Sequence, residues 1–219
     1  MADRDSRSGF SYITPEILAF ADGLHAPHDA ALERAFRAPE TFAVPSIMVG
    51  PSEGKLLGLL LKMVKARRVV EIGTLAGYSA IRMARALPDE GHLWTIEADP
   101  RHAEVARANI EEAGLEKKIT LVEGLALDVI RSLESEGPFD AVFLDADKEN
   151  YEHYGRWAAE NVREGGLLLA DNAYFFKRLM EDSQEAAAVR RFHEESKRGF
   201  ETVCVPTPDG LLVGIRRAG

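Results

Sequence analysis

The sequence predicts an α/β fold: a doubly wound, mostly parallel sheet with extra helices in front of it and an antiparallel hairpin at its carboxyl end. Three observations carry that prediction. After Ala66, short apolar runs alternate with amphipathic stretches, the rhythm of a parallel sheet covered by helices on both faces. One of those runs, Leu167-Leu168-Leu169-Ala170, is continuously apolar, as a strand covered on both faces must be. Near the end, Pro206-Thr207-Pro208-Asp209-Gly210 separates two β-like runs, which signals a tight antiparallel turn. A chain of 219 residues, 46% hydrophobic, can bury such a core as one domain, expected over residues 11–219 with a loose segment over residues 1–10.

Each element follows from local chemistry. Residues 14–38 have a helical pattern: Thr14-Pro15-Glu16-Ile17 reads as a cap with proline at the first helical position, and Pro27 divides the stretch into two helices. Residues 52–65 carry Leu56, Leu57, Leu59, Leu60, Leu61, Met63 and Val64, so a helix buried on most sides is expected there. Strands over 68–72, 92–97, 119–123, 141–145 and 166–171 then alternate with helices over 78–86, 100–113, 126–135 and 151–162. In the last of these helices Tyr151, Tyr154, Ala158 and Val162 share one face. A helix over 184–197 leads into the hairpin strands 200–205 and 211–216.

Bulk properties exclude several classes. The net charge of −9 supplies no strong field for nucleic-acid phosphates, although Arg190-Arg191, Lys197-Arg198 and Arg216-Arg217 offer local basic contacts. The single cysteine, Cys204, rules out an internal disulfide and a cysteine-rich zinc site, and fits a reduced, cytoplasmic setting. The polar start lacks the apolar core of a signal peptide, and no run approaches the ~18 apolar residues of a membrane span. The six histidines show no ligand spacing. The front helices carry more apolar surface than one small sheet requires, which points to a homodimer.

The first strand ends in Glu71-Ile72-Gly73-Thr74-Leu75-Ala76-Gly77-Tyr78-Ser79. Open α/β sheets bind ligands at the carboxyl ends of their strands. The dinucleotide fingerprint Gly-x-Gly-x-x-Gly is absent, because these glycines stand four apart. A carboxylate at such a strand end repels phosphate and attracts an ammonium or sulfonium, which points to S-adenosylmethionine (SAM) rather than NAD. An ordinary strand-to-helix turn would leave much the same trace. Glu97 ends the second strand, where an acid can accept both ribose hydroxyls. After the third strand, the small residues of Glu123-Gly124-Leu125-Ala126 could admit an adenine ring, or simply form a β–α turn.

The fourth strand runs into Asp145-Ala146-Asp147-Lys148 and the fifth into Asp171-Asn172. In a parallel sheet these ends share one rim. Asp145, Asp171 and Asn172 make a hard, all-oxygen set suited to Mg²⁺, Mn²⁺ or Ca²⁺. Helix capping by Asp171-Asn172 is the plainer alternative. Lys148, three residues past Asp145, is a candidate general base beside a cation and a sulfonium, which would lower its pKa. Asp147 lies near the same rim with no role that the spacing assigns.

These motifs, Val70-Glu71-Ile72-Gly73 with Gly77-Tyr78-Ser79, Asp145-Ala146-Asp147-Lys148 with Asn150-Tyr151, and Gly165-Gly166 before Asp171-Asn172, closely resemble the cation-dependent O-methyltransferases of the catechol and caffeoyl-CoA type. The similarity spans roughly residues 40–217. It implies a class I methyltransferase fold in which Val49, Glu71, Gly73, Ser79, Glu97, Ala98 and Ala126 hold SAM, with Asp145 beside them. It also implies that Asp145, Asp171 and Asn172 bind the metal and that Lys148 is the catalytic base. Ile47 stands where relatives usually have methionine, and Ala173-Tyr174-Phe175-Phe176 replaces the Thr-Leu-Trp common in the plant type. The three aromatics would either sandwich an aromatic acceptor or pack against the sheet. The implied reaction is methyl transfer to a hydroxyl of a catechol-like small molecule, with Lys148 taking the proton. A methyltransferase acting on a hydroxylated base in tRNA and a non-catalytic SAM-binding scaffold are the competing readings.

Overall fold

The computed structural model describes residues 12–219, so the loose segment expected over residues 1–10 lies outside the described residues. The front helices are α1 (Pro15–His25), α2 (Ala30–Phe36), the short α3 (Ala38–Thr41) and α4 (Pro51–Met63). Thr14 caps α1 by accepting from the Ile17 amide at 3.3 Å, and Asp29 caps α2 by accepting from the Leu32 amide at 3.0 Å. The chain therefore breaks around Pro27, where its fixed φ and missing donor require a break. The α4 helix departs from the expectation of burial on most sides. Leu57 and Leu61 are buried, whereas Leu59 is 48% and Met63 78% exposed, because only one face meets the sheet layer and the other meets solvent.

The alternating region consists of β1 (Arg68–Ile72), α5 (Tyr78–Ala84), β2 (His92–Glu97), α6 (Pro100–Glu112), β3 (Ile119–Glu123), α7 (Ala126–Ser132), β4 (Phe139–Leu144), α8 (Tyr151–Asn161) and β5 (Val162–Ala170). The chain ends with α9 (Gln184–Gly199), β6 (Phe200–Val205) and β7 (Leu211–Arg216). The seven strands lie in the order β3-β2-β1-β4-β5-β7-β6. The first five run parallel, while β7 pairs antiparallel with both β5 and β6. The β4 strand starts at Phe139, earlier than expected, because β5 reaches back to pair Val162 with Phe139. Asp145 stands just past the end of β4 and Asp171 just past β5.

Strand alternation sorts the core into two layers. Val69, Phe143 and Leu169 face α4 and α5 with Leu57, Leu61 and Ile81, while Val70, Val142 and Leu168 face α8 and α9 with Tyr151, Tyr154 and Phe192. Register does the rest. Ile72 is level with Ile96 and with Leu144, and Leu144 is level with Ala170. The residues that follow, Gly73, Glu97, Asp145 and Asp171, are thus delivered side by side. The strand order reverses between β1 and β4, and a crevice opens at such a switch point.

The tightest approach on this rim is backbone to backbone. A Cβ on Gly73, whose φ is +100°, would lie 2.0 Å from the Asp145 carbonyl oxygen. Gly73→Ala is therefore expected to cost about 2–4 kcal/mol through overpacking and left-handed strain. A shifted denaturant midpoint with unchanged slope is the measurement that checks it.

Candidate active site

A cleft of about 860 Å³ opens at the carboxyl ends of the strands, a size suited to a cofactor with a small acceptor. One half is walled by the glycine loop, the end of β2 and the start of α7. Val49, Gly73, Ser79, Glu97, Ala98 and Ala126 all line it. The Glu97 carboxylate is held from behind: Oε2 accepts from the Thr74 amide at 3.2 Å and the Leu75 amide at 2.8 Å, and Oε1 from the Asp99 amide at 2.9 Å. A carboxylate has about four acceptor positions, so it keeps capacity for a ligand hydroxyl.

Glu71 is placed differently from its companions. It is fully buried and does not line the cleft. Ser79 Oγ donates to its Oε1 at 2.5 Å and Thr95 Oγ1 to its Oε2 at 2.6 Å. Burial, which outweighs those two bonds, pushes the carboxyl up to about 8, with smaller contributions from the charges of Asp145 and Glu97. From beneath the floor it orients Ser79.

The other half of the cleft gathers the charged strand ends. Asp145, Lys148, Asp171 and Asn172 all line it. Lys148 Nζ lies 3.3 Å from Asp145 Oδ1, donates to Tyr151 Oη at 2.5 Å and sits 4.4 Å from the centre of the Tyr151 ring. Tyr151 is fully buried, and its hydroxyl lies 3.2 Å from the carbonyl oxygens of both Leu144 and Asp171. One phenol thus ties the ends of β4 and β5 to the lysine. Asp171 is pushed up to about 8, first by burial and then by the charges of Asp145 and Glu53. Asn172 adopts a left-handed conformation, φ 56°, which asparagine tolerates better than most residues. Its amide nitrogens donate to Asp171, the main-chain one at 2.6 Å and the side-chain one at 3.2 Å. Among the described residues no three His, Cys, Asp or Glu side chains converge as a ligand group, so an all-oxygen set here rests on two carboxylates and the Asn172 carboxamide.

Asp147 acquires partners: Tyr154 Oη donates to its Oδ1 at 2.7 Å and Asn150 Nδ2 to its Oδ2, so it pins the turn that presents Lys148. The three aromatics after Ala173 separate. Phe175 is buried against Ala186 and Val189, Tyr174 packs on Gly210, and only Phe176 lines the cleft. Four of the five arginines considered for RNA contact are engaged within the chain, Arg190 with the Leu179 and Glu181 carbonyls, Arg191 with Glu152, Arg198 with Glu195 and Arg216 with the Gly199 carbonyl.

Sequence reasoning missed three lining or bracing residues. Tyr151 could have been found, since it stands three positions after Lys148 and would share its side of a helical turn. Glu53 and Asp209 carried no such signal, because each meets the site only through tertiary packing.

A doubly wound sheet with a glycine loop, an acid at the end of the second strand and a cleft at the switch point is the architecture of a nucleotide-cofactor enzyme. The chain belongs to the O-methyltransferase family, whose model matches residues 26–217. A catechol O-methyltransferase of Niastella koreensis is 43% identical over 170 residues, covering 75% of this chain and 77% of that protein. The O-methyltransferase of Bacillus cereus, solved in complex with SAH, superposes with a TM-score of 0.88 at 32% identity over 92% of this chain and 97% of the other. TomG of Streptomyces achromogenes, an O-methyltransferase solved with SAM, gives a TM-score of 0.89 at 31% identity over 99% of this chain and 100% of the other. The protein is a SAM-dependent O-methyltransferase.

The buried Glu71 generates a pH prediction. Its folded pKa, about 8, lies above its ordinary value of 4.5, so the folded chain binds the proton more tightly and loses stability as pH rises from about 4.5 to 8. Glutamine mimics the protonated form. Glu71→Gln is expected to match the parent near pH 5 and to become the more stable by on the order of a few kcal/mol at pH 9. Thermal unfolding across that range reads the crossover.

Proposed function

We propose that the protein transfers the methyl group of SAM to one hydroxyl of a vicinal dihydroxyaromatic small molecule, with a divalent cation in the site and Lys148 as proton acceptor. The observation that carries this reading is the placement of Lys148 between Asp145 and the Tyr151 hydroxyl, on the rim that also presents Asp171 and Asn172. The similarity to a catechol O-methyltransferase supports the acceptor class.

The donor set fits a hard cation. Two largely buried carboxylates and a carboxamide supply only oxygen, and both carboxyls are pushed up by burial more than the nearby Lys148 pulls them down. Asp145, Asp171 and Asn172 would hold the ion, which when bound would orient two adjacent acceptor oxygens and favour loss of a proton from one. Val49, Gly73, Ser79, Glu97, Ala98 and Ala126 would hold SAM, whose sulfonium makes the methyl carbon electrophilic, while Glu71 acts through Ser79. Lys148, its side chain 13% exposed, is the group placed to accept the hydroxyl proton. Tyr151 and Asp145 keep Nζ at the acceptor side of the cleft. Aligning the oxygen with the methyl carbon is the larger part of the work, since no covalent enzyme intermediate is needed.

The catalytic unit is proposed as a single domain over residues 11–219 in a reducing cytoplasm, and a homodimer as its assembly. Among the described residues no helix is long and apolar enough to cross a membrane. None of the residues of α1 is buried, and Ile17, Phe20 and Leu24 present one apolar stripe at 53%, 72% and 61% exposure.

Lys148→Met should lower kcat by about 10²–10⁴-fold while SAM binding, read by calorimetry, is retained. Chelator should abolish turnover of a catechol and added Mg²⁺ or Mn²⁺ restore it; Asp171→Ala active at limiting Mg²⁺ would refute the cation assignment. Phe20→Glu combined with Leu24→Glu should halve the mass seen by sedimentation, and an unchanged mass would remove α1 from the interface.

A further inference from the structure

A second, smaller cavity of about 200 Å³ lies where α2, α4 and α5 meet. Four of its nine lining residues are basic, Lys55, Lys62, Arg82 and Arg85, and none is acidic, in a chain whose net charge is −9. Lys55 and Lys62 stand seven positions apart on α4, and Arg82 and Arg85 three apart at the end of α5, so each pair shares one side of its helix. Glycines let the two helices close. A Cβ on Gly54 would lie 3.1 Å from the Tyr78 ring, and one on Gly58 3.3 Å from Ala86 Cβ.

The charges there are not balanced from within. Arg82 is 8% exposed, and its partners are neutral: Nε donates to the Tyr78 hydroxyl at 3.1 Å, Nη2 to the Ala26 carbonyl at 2.8 Å, and Cζ lies 5.5 Å from the centre of the Tyr78 ring. Among the described residues its Nη1 has no acceptor. The nearby acids of α2 and its cap are engaged elsewhere. Asp29 pairs with Arg85 at 2.8 Å, and Glu33 with His28 at 2.8 Å and Arg37 at 3.7 Å. Lys55 and Lys62 are exposed and form no ion pair among the described residues. Three of the four positive charges thus lack an opposite charge, and a buried guanidinium in that state is costly until an anion reaches it. Size and charge name the anion. So small a cavity takes a headgroup rather than a drug-sized ligand. A phosphate monoester, with about −1.5 to −2 charge at pH 7 and three acceptor oxygens, matches three positive charges better than a lone carboxylate does. The guanidinium fork also suits its oxygens.

We propose that the pocket between α2, α4 and α5 binds a phosphate dianion, free or as the monoester of a small soluble molecule, with Arg82 at its floor and Lys55 and Lys62 at its rim. It shares no lining residue with the methyl-transfer cleft, so it stands or falls separately from the reading of that cleft.

The test titrates inorganic phosphate, glycerol phosphate and acetate calorimetrically into the full chain at fixed ionic strength and pH 7. SAH fills the cofactor half of the main cleft, and no divalent cation is added, so phosphate is neither drawn there nor chelated. Saturable binding of phosphate is expected, with acetate about tenfold or more weaker. Lys55→Gln with Lys62→Gln should weaken phosphate about tenfold or more. Lys117→Gln with Lys197→Gln removes two exposed charges that do not line the pocket, and should change its affinity by less than about twofold. Both pairs are on the surface, and retained SAH affinity shows that each variant is folded. The tighter of the two phosphates identifies the source, free ion or ester. No saturable phosphate binding, acetate bound as well as phosphate, or an equal loss in the two double variants would each overturn the site.

Discussion

Carboxylates withdrawn from water along one edge of the sheet are the constraint on which the rest of the structure depends. Glu71 is fully buried, Asp171 is 5% exposed, and Asp145 stands beside them on strands covered on both faces. Each costs free energy to hold in that setting, and each raises the cost of the next. Burial and mutual repulsion together push Glu71 and Asp171 up to about 8. A native state with a margin of only about 5–15 kcal/mol carries such groups only where the surrounding packing over-determines their positions.

The means of holding them is as informative as their number. Most of the supports are uncharged hydroxyls and amides: Ser79 and Thr95 on Glu71, Tyr154 on Asp147, Thr207 on Glu53, and the Thr74, Leu75 and Asp99 amides on Glu97. Such a donor orients a carboxylate without neutralising it. The opposite end of β4 shows the alternative. There Arg163 Nε donates to Asp140 at 2.5 Å and the Arg67 and Arg68 amides donate as well, more than reversing the upward push of burial so that this carboxyl sits below its usual range. One strand therefore has a neutralised acid at its amino end, where it joins elements, and acids left in want of positive charge at its carboxyl end, where a ligand arrives.

Rigidity and reach come from different parts of the fold. The central strands and the Tyr151 post set the positions of Asp145, Lys148 and Asp171, so these groups belong to the sheet edge. The outer rim of the cleft is assembled from the start of α4, the turn after β5 and the β6–β7 hairpin, segments free to vary in length and side chain without disturbing the strand register. That division suits a family in which one chemistry serves different acceptors.

By itself the sequence determined the order of elements, the parallel core with its antiparallel closing pair, and which strand ends carry charge. Those are local properties: apolar periodicity reports burial, and proline, glycine and capping residues report where the chain turns. It also brought Glu97, Asp145, Lys148, Asp171 and Asn172 to one rim, because parallel strands all deliver their carboxyl ends to the same side. Only the tertiary structure decided that Glu71 lies beneath the cleft rather than in it, that α4 leaves Leu59 and Met63 in solvent, and that Phe176 alone of three consecutive aromatics faces the site. Only packing, too, brought Glu53 to Thr207, 154 residues apart, and Asp209 to the amide of Phe176. No local pattern encodes such meetings. They depend on how α4 settles on the sheet and how the hairpin closes over its edge, and therefore on the energy of the whole core rather than of any one segment.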